Sequence, residues 1–318
     1  MYLFFPFWFL SSHSRDIGIK MNTKNTSFSL LILGSILGIF TPIHAGKTCG
    51  LQYNISPKIV GGEDFESIDE FPFSVSIQIR DSGSWWQECG GAFLTDKFIL
   101  TAAHCANNGY VPYRAVFGCK NVTSIDCQIV YFGYEDWTLH EDYKTEDGVK
   151  KEIGDIAIIK LPMKANFTSL ARPHEYGKAV GSICLPKRIK DYTGKEVIAI
   201  GYGLTHSPSP DKEIYSEVLQ KYTAKVIDLA SCRKSVVPPL DVNFPPEYHL
   251  CTSRGLKNNE GSCNGDSGSP LMIKVRRQMV VIGVAIDTAP DCVSGPILYT
   301  RVDHYLDWII NNIRRLSG

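Results

Sequence analysis

From Phe73 onward, short apolar runs recur between turn-forming residues, and this rhythm limits the folds open to the chain. Phe73 to Ile79 reads Phe-Ser-Val-Ser-Ile-Gln-Ile, an alternation with the two-residue period of a strand that buries one face. Further β-rich runs stand at Gly91 to Leu94, Phe98 to Thr101, Arg114 to Phe117, Ile156 to Leu161, Val197 to Tyr202, Pro270 to Val275, Met279 to Ile286 and Ile297 to Val302. Between them no stretch sustains helical periodicity, and 27 Gly and 17 Pro in 318 residues supply the turns. The reading is an all-β sandwich or barrel. The last segment differs: Tyr305, Leu306, Ile309, Ile310, Ile313 and Leu316 recur at helical spacing, which predicts a C-terminal amphipathic helix packed on the β core.

Thirty-three basic residues balance 33 acidic ones, so no net field draws the chain to nucleic acid or to an anionic membrane. Ten cysteines contain no C-x-x-C pair of the kind found in zinc ribbons or redox sites, which favours disulfides and an oxidising compartment. The N-terminus offers a route there. Met21 opens a polar, lysine-bearing start, the apolar run Phe28 to Phe40 follows, and small Ala45 stands where a signal peptidase would cut. Residues 21–45 are read as a secretory signal, the run being shorter than the roughly 20 residues that span a bilayer. Residues 1–20 are read as an extension from an upstream start; retention of both segments would leave a membrane-tethered form open.

Two local features carry chemistry. A basic residue, Lys58, precedes Ile59-Val60-Gly61-Gly62, which is a processing site in form or a loop entering a strand. Gly261 to Pro270 sets Ser267 between glycines with Asp266 before it. That is what a nucleophile needs, an exposed hydroxyl on a backbone able to aim N–H groups at an oxyanion, although an ordinary surface turn has the same composition.

Leu100-Thr-Ala-Ala-His104-Cys105, Asp155-Ile-Ala-Ile-Ile-Lys-Leu161, Gly265-Asp-Ser267-Gly268 and Ile59-Val-Gly-Gly62 stand in the order seen in the chymotrypsin-like, trypsin-fold serine proteases. From about Cys49 to the C-terminus the chain closely resembles that family. The resemblance implies two packed antiparallel six-stranded β-barrels with a C-terminal α-helix over residues 59–318. It also implies a pro-segment at 46–58, removed by cleavage after Lys58. It casts Ser267 as nucleophile, His104 as its base and Asp155 as the carboxylate that orients the imidazole. The N–H groups of Gly265 and Ser267 would form the oxyanion hole, and the freed amine of Ile59 would pair with Asp266. The other histidines, such as His140, His206 and His249, lack matching context and are read as surface or packing residues.

By the same resemblance Cys89 pairs with Cys105, Cys232 with Cys251, Cys263 with Cys292, and Cys49 with Cys184, which leaves Cys119 and Cys127 to each other. Asn54, Asn121 and Asn166 lie in glycosylation sequons, as does Asn25 within the signal. No cofactor or metal is implied, and the Cys119 to Cys127 segment occupies the region of the family's Ca²⁺ loop.

The chain departs from the family at the pocket for the residue before the scissile bond. Gly261 stands where trypsin-like members carry an acid, so an uncharged floor is expected and cleavage after Lys or Arg is not. Thr288 and Ile297 replace wall glycines and should narrow the slot toward small or medium apolar side chains. Ile286-Asp287-Thr288 stands where Ser-Trp-Gly is usual, placing a carboxylate on the substrate wall.

The expectation is a secreted, extracellular endopeptidase made as a zymogen. Its partners would be protein or peptide substrates, a trypsin-like activating protease and protein protease inhibitors, with no nucleic acid and no membrane once the signal is gone. The rival is a non-catalytic homologue that acts as a binding or cofactor protein.

Overall fold

The computed structural model describes residues 49–52, 70–106, 112–143, 145–146, 149–150, 153–167, 180–187, 190–205, 214–235, 245–256, 260–292 and 294–318. Lys58, Ile59, Asn25, Asn54, His206 and the expected signal lie outside the described residues. Fifteen strands occur among those described. In the first half they are β1 (Ser74–Asp81), β2 (Ser84–Phe93), β3 (Phe98–Thr101), β4 (Tyr113–Phe117), β5 (Gln128–Phe132), β6 (Trp137–Leu139), the short hairpin β7 (Thr145–Glu146) and β8 (Val149–Lys150), and β9 (Ala157–Lys160). In the second half they are β10 (Glu196–Gly201), β11 (Gln220–Ile227), β12 (His249–Thr252), β13 (Pro270–Val275), β14 (Gln278–Thr288) and β15 (Ile297–Arg301).

The second half closes as expected: β10-β11-β12-β15-β14-β13 is a six-stranded barrel. Its interior holds Val197, Ala224, Leu271, Ile282 and Tyr299, each nearly free of solvent. The first half forms the other barrel-like sheet, which stays open at one seam among the described residues. It is one seven-stranded sheet in the order β5-β4-β1-β2-β3-β9-β6, with no ladder joining its edge strands β5 and β6. Aromatic side chains span that seam instead: Tyr113 stacks on Phe132 at 5.4 Å between ring centroids and meets Trp137 at 5.4 Å, while Phe132 lies 6.1 Å from Trp137. Rings of this size bridge the gap between two edges without backbone pairing. Inside the same sheet Phe93 meets Phe117 edge-on at 4.8 Å.

Strands β5, β6, β11 and β12 are absent from the runs read off the sequence. Their residues are mixed: β11 is Gln-Lys-Tyr-Thr-Ala-Lys-Val-Ile, and only Ala224 and Val226 are buried. Pairing with neighbouring strands, not local alternation, makes them strands. A short helix, α1 (Leu229–Ser235), is also unanticipated. The Asp228 carboxylate caps its start by accepting from the Ser231 N–H at 2.8 Å, and Cys232 ties it to β12 through Cys251.

The C-terminal helix α2 (Leu306–Ser317) buries Ile309 and Ile313 as the spacing predicts. Asn312 shares that buried face, donating to the Trp308 carbonyl at 3.0 Å and accepting from Arg315 at 2.7 Å. Five disulfides are present: Cys49–Cys184, Cys89–Cys105, Cys119–Cys127, Cys232–Cys251 and Cys263–Cys292. Among the described residues no helix is long and apolar enough to cross a membrane.

Candidate active site

The first sheet supplies His104 and Asp155. Strand β3 is wholly buried and ends in a 3-10 turn, Ala103–Cys105, that presents His104 toward the second barrel. The Cys89–Cys105 bridge holds that turn to β2. Nearly buried Asp155 precedes β9 and engages His104 twice: Oδ1 accepts the backbone N–H at 2.9 Å, and Oδ2 lies 2.7 Å from Nδ1. An ionised carboxylate only accepts, so Nδ1 carries the proton and Nε2 is left as the base. Two further groups hold this segment. Thr300 Oγ1 donates to the Asp155 carbonyl at 2.7 Å, and Tyr305, at the head of α2, accepts the Gly154 N–H at 2.9 Å. Gly154 is at φ +76°, and a Cβ there would press on the Tyr143 and Asp142 backbone, so glycine is required.

The second barrel supplies the serine. Gly265 (φ +89°) and Gly268 (φ +81°) turn the chain sharply on either side of Ser267. The elbow is pinned from two strands: Gly90 N–H donates to the Ser267 carbonyl at 2.7 Å, Gly268 N–H to Ala285 at 2.7 Å, and Ala285 N–H to Ser269 at 3.0 Å. Gly90 must be bare, because a Cβ there would collide with the Ser269 side chain. His104 and Ser267, 163 residues apart in sequence, line one pocket of about 250 Å³ with Ser262, Asp287, Thr288 and Ile297. Cys89, Cys105 and His104 cluster closely enough to resemble a metal site, but both sulfurs are consumed in their disulfide.

Sequence reasoning missed Gln87 on β2. Its Nε2 donates to the carbonyls of Gly265 at 3.0 Å and Cys89 at 2.8 Å, while its Oε1 accepts from Ser76 Oγ at 2.6 Å. Beyond Ser76 the chain of bonds runs through Gln78 to Arg114. Every link is set by strand pairing, so nothing in the local sequence announces it.

Asp266 is half-buried as a residue, and its carboxylate is packed so closely on Gly201 and Gly203 that neither could carry a side chain. It accepts from Gly203 N–H at 2.7 Å and Cys263 N–H at 2.9 Å. Burial pushes its acid up to about 6 from 3.8, and the two N–H donors only partly oppose that. With the chain uncut before Ile59, no α-amino group exists there to offset the rise. A folded-state value above the unfolded one means stability that is full below about pH 4 and is lost as pH rises through about 6. One unit of such a shift is worth about 1.4 kcal/mol, or about 3–6 °C in a domain of this size. The uncleaved protein is therefore expected to lose melting temperature relative to its Asp266→Asn variant between pH 4 and pH 7. A difference that stays flat across that window in paired thermal melts would refute the assignment.

The expected pocket floor needs correction. Gly261 has no charge of its own, but the Arg254 guanidinium fills its side-chain direction: a Cβ at Gly261 would lie 2.6–2.7 Å from Nη1, Cζ and Nη2. Beside it, Tyr222 Oη lies 2.8 Å from Ser262 Oγ and 3.0 Å from Tyr299 Oη. Ser262 lines the pocket, and the Arg254 guanidinium packs on the residue before it. Thr288 and Ile297 do line the pocket, with Ile297 fully buried. Asp287 stands on the wall with Oδ1 accepting the Thr288 N–H at 2.8 Å.

Among the remaining expected residues, Asn166 is exposed, while half-buried Asn121 accepts from Thr123 through its Oδ1. His140 packs on Tyr305 and Trp308, and His249 is buried, so both serve packing.

Two antiparallel sheets meeting over a histidine, a carboxylate and a serine define the chymotrypsin-like serine protease class. The Trypsin family model matches residues 59–309, and the chain belongs to that family. It is 30% identical over 292 residues to Phenoloxidase-activating factor 1 of Holotrichia diomphalia, covering 84% of this chain and 72% of that protein. It is 29% identical over 267 residues to Chymotrypsin-C of Mus musculus, covering 82% of this chain and 91% of the relative. The atomic-resolution structure of a protein called HBP superposes with a TM-score of 0.59 at 24% identity, over 80% of this chain and 97% of the other, a likeness of fold.

Proposed function

We propose that the protein is a secreted serine endopeptidase made as a zymogen, in which His104 takes the Ser267 proton as the hydroxyl attacks a peptide carbonyl. The observation that carries this reading is the double engagement of His104 by Asp155, which sets the tautomer a general base requires. The tetrahedral oxyanion would sit on the N–H groups of Gly265 and Ser267. As the tetrahedral intermediate collapses to the acyl-enzyme, the imidazolium gives its proton to the leaving amine; a water then hydrolyses the ester, its proton passing through the same imidazole back to Ser267 Oγ. Gln87, through the Gly265 carbonyl, supports the loop that bears those donors.

Activation is assigned to cleavage after Lys58, which frees the Ile59 amine to pair with Asp266 and lower its acid again. Residues 49–52 dock on β14, with Met279 N–H donating to the Gly50 carbonyl at 2.7 Å. The Cys49–Cys184 bridge would keep the cut pro-segment attached. Relatives named for activating phenoloxidase or for clotting support protein substrates and an upstream protease as partners; inhibitor proteins are further proposed partners. Five disulfides support an extracellular site of action, with glycans on Asn54, Asn121 and Asn166.

The narrowed slot supports cleavage after short side chains and rejection of Lys and Arg. The apolar preference read from the sequence is joined by a polar one, because Ser262, bonded to Tyr222, lines the pocket beside Ala285, Ala289 and Ile297. An enzyme that rejects lysine cannot cut after its own Lys58. Purified proenzyme incubated alone is therefore expected to stay intact, whereas trypsin converts it and a fluorophosphonate probe then labels Ser267. Rapid self-conversion at Lys58 counts against the pocket reading. Absence of labelling in folded, cleaved protein would favour the non-catalytic homologue, the role to which the carboxylate of Asp287 on the substrate wall points.

A further inference from the structure

We propose that Arg254 reads the substrate and that the enzyme cleaves after aspartate and glutamate. The inference rests on the hydrolase reading above and adds the chemical class of the residue before the scissile bond. Its starting point is where the guanidinium lies. Gly261 immediately precedes Ser262, which lines the pocket beside Ser267, and three guanidinium atoms occupy the volume a Gly261 side chain would take. The absent side chain is what admits them. The bare position at Gly261 is thus filled by a cation from seven residues ahead in the loop after β12.

The charge reaches the pocket through hydroxyls. The Arg254 guanidinium packs on Gly261, the residue before Ser262, Tyr222 Oη is 2.8 Å from Ser262 Oγ, and Ser262 faces the cavity. A carboxylate entering the slot meets a hydroxyl donor with a guanidinium behind it, in surroundings that screen charge less than water does. An ammonium or guanidinium side chain meets like charge. Of the carboxylates nearby, Asp291 attracts Arg254 while its Oδ1 accepts from Ser294 N–H and Oγ, both at 2.9 Å, and Asp287 Oδ1 accepts from Thr288 N–H. Ile297 sets the depth.

Trypsin-activated full-length protein and peptide nitroanilides that differ only at the residue before the scissile bond test this. Between isosteric pairs, kcat/KM is expected to favour Asp over Asn and Glu over Gln by at least about tenfold. The ratio should fall to near one in Arg254→Met and persist in Arg254→Lys, a rescue that a purely space-filling arginine would not show. Equal rates for Asp and Asn in the wild type, or a ratio that survives Arg254→Met, overturn the proposal, and the wild-type comparison decides without any variant. Fluorophosphonate labelling of Ser267 alongside Asp/Asn parity overturns the pocket assignment alone. Neither labelling nor cleavage of any peptide by folded, cleaved protein overturns the hydrolase reading, and this inference with it.

Discussion

Replacing Ser267 by alanine in the cleaved protein is expected to lower kcat by about a million-fold while leaving the fold intact. Ser267 is held by its backbone, with Gly90 donating to its carbonyl and Gly268 to Ala285, so loss of the hydroxyl removes the nucleophile without releasing the elbow. His104→Ala should cost about as much, and the double variant little more, because the residues of a triad act as one unit and their losses do not add. Steady-state assays with the preferred peptide, together with melting temperatures near wild type, check both points. Retention of more than about one per cent of activity in Ser267→Ala would remove it from the nucleophile's role.

The second large effect is on Asp155. Asp155→Asn is expected to lower kcat by about ten-thousand-fold although the shape of the side chain is unchanged. The structure supplies the reason. Oδ1 accepts the His104 backbone N–H at 2.9 Å, so the amide oxygen of an asparagine would remain there and its NH₂ would face Nδ1. Nδ1 would then have to accept, the ring proton would move to Nε2, and Nε2 could no longer take the serine proton. A loss below about tenfold would mean that the carboxylate only supports the histidine turn. Thr300 and Tyr305, which hold the Asp155 segment by its backbone, should keep the variant folded.

The residues proposed to perform the chemistry were legible early because each sits in a local pattern with its own physical requirement. His104 follows a buried strand and precedes a cysteine, Asp155 heads a buried run, and Ser267 lies between glycines that the elbow needs at positive φ. The groups that support them were not legible. Gln87 faces the Gly265 carbonyl across 178 residues, and Arg254 matters only because Gly261 is bare beneath it. How the edges of the first sheet meet was not legible for a related reason. Its closure depends on Tyr113, Phe132 and Trp137 meeting across a seam, and ring contacts between distant strands leave no periodic trace.

By itself the sequence determined the family, the all-β class, the amphipathic C-terminal helix and the identities of the histidine, aspartate and serine, since strand alternation, helical spacing and glycine turns are set by neighbours along the chain. Only the tertiary structure decided how the first sheet ends, which carbonyl Gln87 holds and what charge stands under the pocket. Those depend on atoms brought together by packing from far apart in sequence. At Gly261 the residue's own side chain predicts a neutral floor, and the fold sets a guanidinium there.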